Sequence, residues 1–427
     1  MTTSNRPPIL LCNADYYGTL AATRLLGRSG IPVTVASETR MAVSNWSKFA
    51  TRTVRCPPTI ESEKFVDWLI TFGRNNPGYV LYPTSDDVTY LYTLHRKELE
   101  PLFKMCLPDV QAIINVLDKK KLYTAAREAG VATPDTRFPE VDSEVETLGG
   151  ELELPVLVKP RTQVLFRSHS KGLLARERAE LLPKYREFVR SNDYGAELWG
   201  RCPEATHPML QTYHPQAAER IYSLAGFIDQ RGELFAARGS FKVLQRPRKL
   251  GIGLCFEDAP LNLELAAGIR RLCQITGYHG LFQTESIYLN GKYLLIDFNP
   301  RFYNQIVFDI VRGLPLPLIV YASALGDHDE VQRLVHAAAS AGDGVDRVFC
   351  NRIGFELMLS MQRLSKRMSV EEARTWRQWY EKHRDGVVDS TVDRNDPLPM
   401  FFDVANHVHE YLLHPRSFVR SVVLDKA

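Results

Sequence analysis

The sequence predicts an α/β and α+β chain with a parallel sheet at its N-terminal end, antiparallel hairpins in its middle and a helical C-terminal extension. Three observations carry this. Ile9-Leu10-Leu11-Cys12, an amphipathic stretch from Gly18 to Gly30 and Ile31-Pro32-Val33-Thr34-Val35 read as strand, helix and strand. Such a βαβ unit implies parallel pairing. Asn290-Gly291 between two apolar runs predicts a hairpin. After about residue 325 the pattern turns helical, over 345–382 and again over 395–420.

Tyr79 to Asp87 repeats the first theme, a buried strand followed by the polar turn Pro83-Thr84-Ser85-Asp86-Asp87. Ligands in open α/β sheets gather at such carboxyl ends. There is no GxGxxG fingerprint, which argues against a dinucleotide site. A helix is predicted from Asp118 to Ala129, with Asp118 as N-cap and Gly130 as left-handed C-cap. Pro155 to Lys159 is a strand ending in a lysine, and Leu210 to Phe241 holds at least three strand-like runs. The expected division is 1–112, 113–210, 211–328 and 329–427. There is no internal repeat and no low-complexity tract.

Length and composition set wide bounds. The chain has 427 residues, 44% hydrophobic and 24% charged, an ordinary globular balance. Its formal charge of +3, from 53 basic and 50 acidic residues, gives no argument for nucleic acid or an anionic membrane as partner. The seven cysteines form no CxxC pair, so zinc and disulfide frameworks are poor readings, and scattered thiols in a reducing cytoplasm are expected. No run approaches the ~20 apolar residues of a membrane span, and Met1 to Arg6 has no apolar signal core. A cytoplasmic protein is expected.

The chemistry is carried by features that are each weak alone. Asp297 and Asn299 stand two apart on a strand, so they share a face. A carboxylate beside an amide oxygen is a hard donor set that suits Mg²⁺, with Mn²⁺ as substitute. Glu285 on the preceding strand can add a second carboxylate. A two-residue turn would set Glu285 against Ile296, on the wrong face. A three-residue loop, Leu289-Asn290-Gly291, would put Glu285 on the face of Asp297, and this odd-length loop is the expectation. Lys119 and Lys159 suit phosphate oxygens. Either lysine alone reads as a surface charge; the order and spacing of the set shift the reading. Lys242, Arg246, Arg248 and Lys249 form a second basic group, in which Arg246 and Arg248 are candidate clamps for a substrate carboxylate. His169 reads as a loop surface residue.

The series Asp118-Lys119, Ala129-Gly130-Val131-Ala132-Thr133-Pro134, Pro155-Val156-Leu157-Val158-Lys159-Pro160, Gly280-Leu281-Phe282-Gln283-Thr284-Glu285 and Ile296-Asp297-Phe298-Asn299-Pro300-Arg301 resembles the ATP-grasp superfamily. It is similar to the branch of biotin carboxylase, carbamoyl phosphate synthetase and the amino-acid ligases, over roughly residues 8 to 325. The resemblance implies an ATP-grasp fold, with an N-terminal parallel-sheet (pre-ATP-grasp) domain and a helical C-terminal extension. It implies that Lys119 and Lys159 hold ATP phosphates and that Gln211 and Tyr213 line the adenine hinge. Glu219 would hold the ribose, and Glu285, Asp297 and Asn299 would bind two Mg²⁺ ions. Arg301 would stabilise an acyl phosphate or its oxyanion.

The lid loop of the family is often glycine-rich, whereas Pro160 to Gly172 has one glycine. Arg167, Ser168, Ser170 and Lys171 are then expected to hold phosphates with side chains instead of backbone amides. Gln211 stands where an acidic residue is common. The implied activity is an ADP-forming ligase that joins a small-molecule carboxylate to an amine through an acyl phosphate; a homodimer is compatible with it. Rival readings are a biotin-carboxylase-like or carbamoyl-phosphate-type enzyme, and a non-catalytic nucleotide-binding regulator. Trp376, Trp379, Tyr380, Phe401 and Phe402 suggest that the extension is a helical cap over the core or a dimer surface.

Overall fold

The computed structural model describes residues 6–167, 172–215, 220–248, 251–341, 347–413, 415 and 419–423. The N-terminal sheet is built from Ile9–Leu11 (β1), Val33–Ser37 (β2), Arg52–Arg55 (β3) and Val80–Leu81 (β4), in the order β3-β2-β1-β4. Every pairing in it is parallel. All residues of β1, β2 and β4 are buried. Helix Tyr17–Arg28 connects β1 to β2, which accounts for the continuous apolar runs. Gly18 lies so close to the Asn-Pro-Arg turn that a Cβ there would stand 2.8 Å from the carbonyl oxygen of Tyr303.

Thr136–Arg137 (β5), Val156–Lys159 (β6), Phe166–Arg167 (β7), Leu173–Ala175 (β8), Asp193–Tyr194 (β9) and Met209–Thr212 (β10) follow. They form an antiparallel sheet, β5-β10-β6-β8, and a small β7–β9 ladder. The third sheet comprises Ile221–Ile228 (β11), Phe235–Arg246 (β12), Ile252–Ala259 (β13), Gly280–Leu289 (β14), Lys292–Asn299 (β15), Val348–Cys350 (β16) and Val387–Val388 (β17). Its order is β15-β14-β11-β12-β13-β16-β17. Helices Lys119–Glu128 and Leu263–Thr276 pack on one face through Leu122, Ala126, Ile269 and Leu272, against Phe282, Leu295 and Phe298.

The helix at residue 119 forms as expected: Asp118 Oδ1 accepts from the Lys120 amide at 2.9 Å, and Gly130 has φ +74°. The turn between β14 and β15 differs from expectation. Leu289 pairs directly with Lys292, so the loop has two residues, and Asn290 and Gly291 have φ +50° and +79°. That is the left-handed pair of a primed hairpin turn. The extra residue sits inside β15 instead. Glu285 pairs with Asp297 while Ser286 pairs with Leu295, so Ile296 is a β-bulge. The parity the carboxylates need is met by the bulge.

The C-terminal extension is mainly helical, as expected, and adds two short strands. The region 345–382 divides into β16 and helices Arg352–Leu364 and Val370–Lys382. Strands β16 and β17 extend the third sheet, because Val348, Phe349 and Cys350 are apolar enough to be buried in it. Helix Leu398–Leu413 then docks on the N-terminal sheet unit. Trp46 and Phe402 stack at 3.6 Å, and buried Arg24 binds Asp396 Oδ2 at 2.8 Å and three backbone carbonyls. All seven cysteines are unbridged. Among the described residues no helix is long and apolar enough to cross a membrane.

Gly291→Ala is expected to lower stability by about 1 kcal/mol, because alanine pays for the positive φ. Urea unfolding of the two proteins measures this; an unchanged midpoint would contradict the turn assignment.

Candidate active site

The bulge at Ile296 creates the site. Leu295 and Phe298 both point into the core although they stand three positions apart, an odd spacing on a strand. The intervening shift turns Asp297 away from the core, directly across from Glu285, and Asn299 stands across from Gln283. Two carboxylates and two amides thus line one stretch of sheet.

Both carboxylates and the Asn299 amide oxygen have a cation on them. Lys119 Nζ donates to Asp297 Oδ1 at 2.6 Å, and Lys242 Nζ donates to Glu285 Oε2 at 2.9 Å. Arg301 Nη2 donates to Asn299 Oδ1 at 2.8 Å, while its Nε donates to Asp86 Oδ1 at 3.0 Å. Gln283 Oε1 accepts from Asn299 Nδ2 at 2.6 Å. Burial alone would raise the Asp297 pKa, but Lys119 outweighs it and holds the carboxyl below its usual range. Burial alone would lower Lys119 and Arg301; Asp297 and Asp86 reverse this and hold both above their usual values. Asp297 still keeps 36% of its side-chain surface open, which leaves it accessible to a ligand.

Lys159 differs. Its nearest polar partner is the neutral amide of Gln211, at 3.2 Å. Burial, followed by the charge of Lys119, pushes its pKa down to about 7. Gln211 is fixed in turn, with Nε2 donating to Tyr123 Oη at 3.1 Å and Thr136 Oγ1 at 3.0 Å. Its side chain therefore lies among Lys159, Tyr123 and Thr136. Tyr213 is half-buried at the end of β10, and its amide donates to Pro155 O at 2.9 Å.

Asp118 has a second task besides capping. Arg161 grips both its oxygens, at 2.5 and 2.6 Å, and each side chain is 3% exposed. This fork ties the segment that follows β6 to the base of Lys119. Further along that segment, Asp87 Oδ1 accepts from the Leu165 amide at 2.7 Å; burial pushes that carboxyl up to about 6.

Not every expected residue is brought in. Arg248 points toward the C-terminal helices, where it pairs with Glu372 and donates to Arg367 O at 2.9 Å. Arg246 lies at the end of β12, away from the metal-type oxygens. Arg167 is exposed, with a long contact of 3.5 Å to Ile60 O. Ser168, His169, Ser170, Lys171, Glu219 and Lys249 lie outside the described residues. Sequence reasoning missed Arg161, Gln283 and Asp86. For Asp86 there was a signal, since its turn had been placed at the carboxyl end of a strand.

The donor set fits Mg²⁺. Glu285, Asp297 and Asn299 supply hard oxygens, and among the described residues no three His, Cys, Asp or Glu gather into a cage. Mg²⁺ is usually held by one or two carboxylates, with phosphates and water completing the shell.

Neither a protein-family model nor a curated protein sequence matches the chain. Solved structures do. Biotin carboxylase from Campylobacter jejuni, in a complex with a β,γ-ATP ligand, superposes with a TM-score of 0.58 at 16% identity, over 79% of this chain and 71% of that one. The biotin carboxylase domain of 2-oxoglutarate carboxylase from Hydrogenobacter thermophilus, a dimer with MgADP and bicarbonate, gives 0.56 at 16%, over 78% and 69%. L-amino acid ligase from Bacillus licheniformis gives 0.56 at 16%, over 75% and 74%.

This chain has the ATP-grasp fold. Strands β6 and β10 make one wall of the site, and β14 and β15 the other. Lys159 stands on the first wall, and Glu285, Asp297 and Asn299 on the second.

The depressed Lys159 makes a pH prediction. Below about pH 7 the amine is charged before and after ATP binds, so no proton is taken up. Above about pH 7 the free protein holds it neutral, and a bound phosphate favours the charged form. MgATP binding at pH 8.5 is therefore expected to take up close to one proton, about 0.5–1, and affinity should fall as pH rises. Calorimetry in two buffers of different ionisation heat measures the uptake. Lys159→Arg should abolish it; uptake that persists in that variant would contradict the assignment.

Proposed function

We propose that the protein is an ATP-dependent carboxylate–amine ligase that forms an amide bond and releases ADP and phosphate. The observation that carries this is the face-sharing set Glu285, Asp297 and Asn299, opposed by Lys119 and Lys159 with Arg301 at its end. It is a site for moving charge between phosphate oxygens, and the ligases with which the fold is shared support that reading.

Lys119 and Lys159 would hold ATP phosphates, and Glu285, Asp297 and Asn299 would hold Mg²⁺ or Mn²⁺. The metal supplies neutralisation of the phosphate charge. The lysines and Arg301 now rest on the carboxylates and the amide, so they are in place to transfer to phosphate and substrate oxygens. A substrate carboxylate oxygen bonds to the γ-phosphorus as the bond to ADP breaks. The amine nitrogen then bonds to the acyl carbon, phosphate leaves, and the nitrogen loses a proton. Arg301, held by Asp86, is placed to stabilise the oxyanion of that second step. Positioning and electrostatics carry the catalysis. The lid rooted by Arg161 and Asp87 would keep water from the acyl phosphate.

The test is Mg²⁺-dependent ADP release with pooled carboxylates and pooled amines, beside Asp297→Asn. Release that requires both pools and falls about 100-fold in the variant is expected. Release with bicarbonate alone would favour a carboxylase. Release of AMP and pyrophosphate would contradict the mechanism. A melting temperature raised by ATP with no turnover would favour a nucleotide-binding regulator.

A further inference from the structure

The C-terminal extension joins the third sheet at β13, and two buried thiols meet at that junction. Cys255 on β13 and Cys350 on β16 are direct cross-strand partners. Both are 0% exposed, and their sulfurs stand 3.7 Å apart. They lie 95 positions apart in the chain, so no local spacing announces the pair. Leu244, Leu254, Phe355, Met358 and Leu359 belong to the same core cluster, the last three from helix Arg352–Leu364. The thiols therefore sit in the packing that docks the extension on the sheet.

The pairing has the geometry a disulfide needs. The Asn351 amide donates to Leu254 O at 2.9 Å, which makes Leu254 and Asn351 a hydrogen-bonded pair. Cys255 and Cys350, one step along the ladder, are then a non-hydrogen-bonded pair. In such pairs the Cα atoms lie ~4.5 Å apart and the side chains approach most closely. A disulfide takes Cα separations of about 4.4–6.8 Å and an S–S bond of about 2.05 Å. The sulfurs thus need to close by less than ~2 Å, which side-chain rotation supplies with the strands in place. The neighbouring ladder has slack to absorb the closure. Cys255 pairs with Leu244 on its other side, and the register of β12 against β13 shifts both before and after Leu244. Space filling alone does not call for two sulfurs, since any small apolar pair would pack there.

We propose that Cys255 and Cys350 form a reversible redox site, which a low-molecular-weight disulfide converts into an intramolecular disulfide. One cysteine thiolate attacks the reagent, and one half of the reagent leaves as a thiolate. The second cysteine thiolate then attacks the mixed disulfide and releases the other half. The cysteine pair loses two electrons and two protons, and the reagent gains both as two free thiols. Burial raises the Cys255 pKa and so slows attack from the closed sheet. The first step needs β16, a strand of three residues, to open. The linked form ties the extension covalently to β13. This inference is independent of the ligase reading.

The experiment is mass analysis of the full chain after two treatments. In one, the folded protein is incubated with oxidised glutathione. In the other, it is refolded from urea in mixed reduced and oxidised glutathione, so that burial of the thiols cannot account for a negative result. A mass lower by two hydrogens is expected, with one linked peptide pair holding Cys255 and Cys350 after proteolysis without reductant. The linked protein should melt about 5 °C or more above the reduced one, and dithiothreitol should restore the original curve. Cys255→Ser and Cys350→Ser should each abolish the link. Cys273→Ser, which removes a buried thiol elsewhere in the core, should leave it intact. The proposal is overturned if the refolded chain stays unlinked, if it stops at mixed disulfides with glutathione, or if the link joins other cysteines. A linked form that melts no higher than the reduced one would also overturn it, because the strands would then have had to move.

Discussion

One inserted residue decides whether this chain has a metal-type site. Without the bulge at Ile296, the two-residue turn at Asn290-Gly291 would carry strict alternation down β15 and bury Asp297 with Leu295. With it, Leu295 and Phe298 both reach the core while Asp297 stands across from Glu285. The packing demand of two large apolar side chains and the chemical demand of two facing carboxylates are met by the same irregularity. Bulges are common beside active sites because they re-aim a side chain without breaking the sheet.

The second constraint is charge. Four cations, Lys119, Lys159, Lys242 and Arg301, crowd beside three carboxylates, Asp86, Glu285 and Asp297. Three of the cations are paired, and the fourth, Lys159, is the one whose charge is depressed. The cluster therefore approaches neutrality with the groups it has. On the proposed function, bound phosphates would restore the charge of Lys159, and a divalent cation would take the place of the lysines on the carboxylates. Exchange of partners within a preformed set costs little reorganisation, which is the condition for electrostatic catalysis.

Much of this was legible in the sequence because local rules govern it. Asp118, Gly130 and the Asn290-Gly291 turn follow from capping and turn chemistry alone. The parity needed between Glu285 and Asp297 could be counted, but where the extra residue lies depends on core packing around Leu295 and Phe298. Partnerships between distant segments carried no local signal. Arg161 with Asp118, Asp86 with Arg301 and Gln211 with Lys159 are set by how the sheets meet. The C-terminal strands were hidden for a similar reason: Val348–Cys350 is too short to show a period against the helices around it. Arg248 looked like Arg246 in sequence, and only its pairing with Glu372 separates them.

The account stands or falls on transfer of a carboxylate oxygen to phosphorus. The direct measurement uses ¹⁸O-labelled carboxylate, drawn from whichever acid supports turnover, and mass analysis of the products. The account predicts that the phosphate released carries one ¹⁸O from the acid and that ADP carries none. Unlabelled phosphate, or label in AMP, would contradict an acyl phosphate and the roles given to Lys119, Lys159 and Arg301.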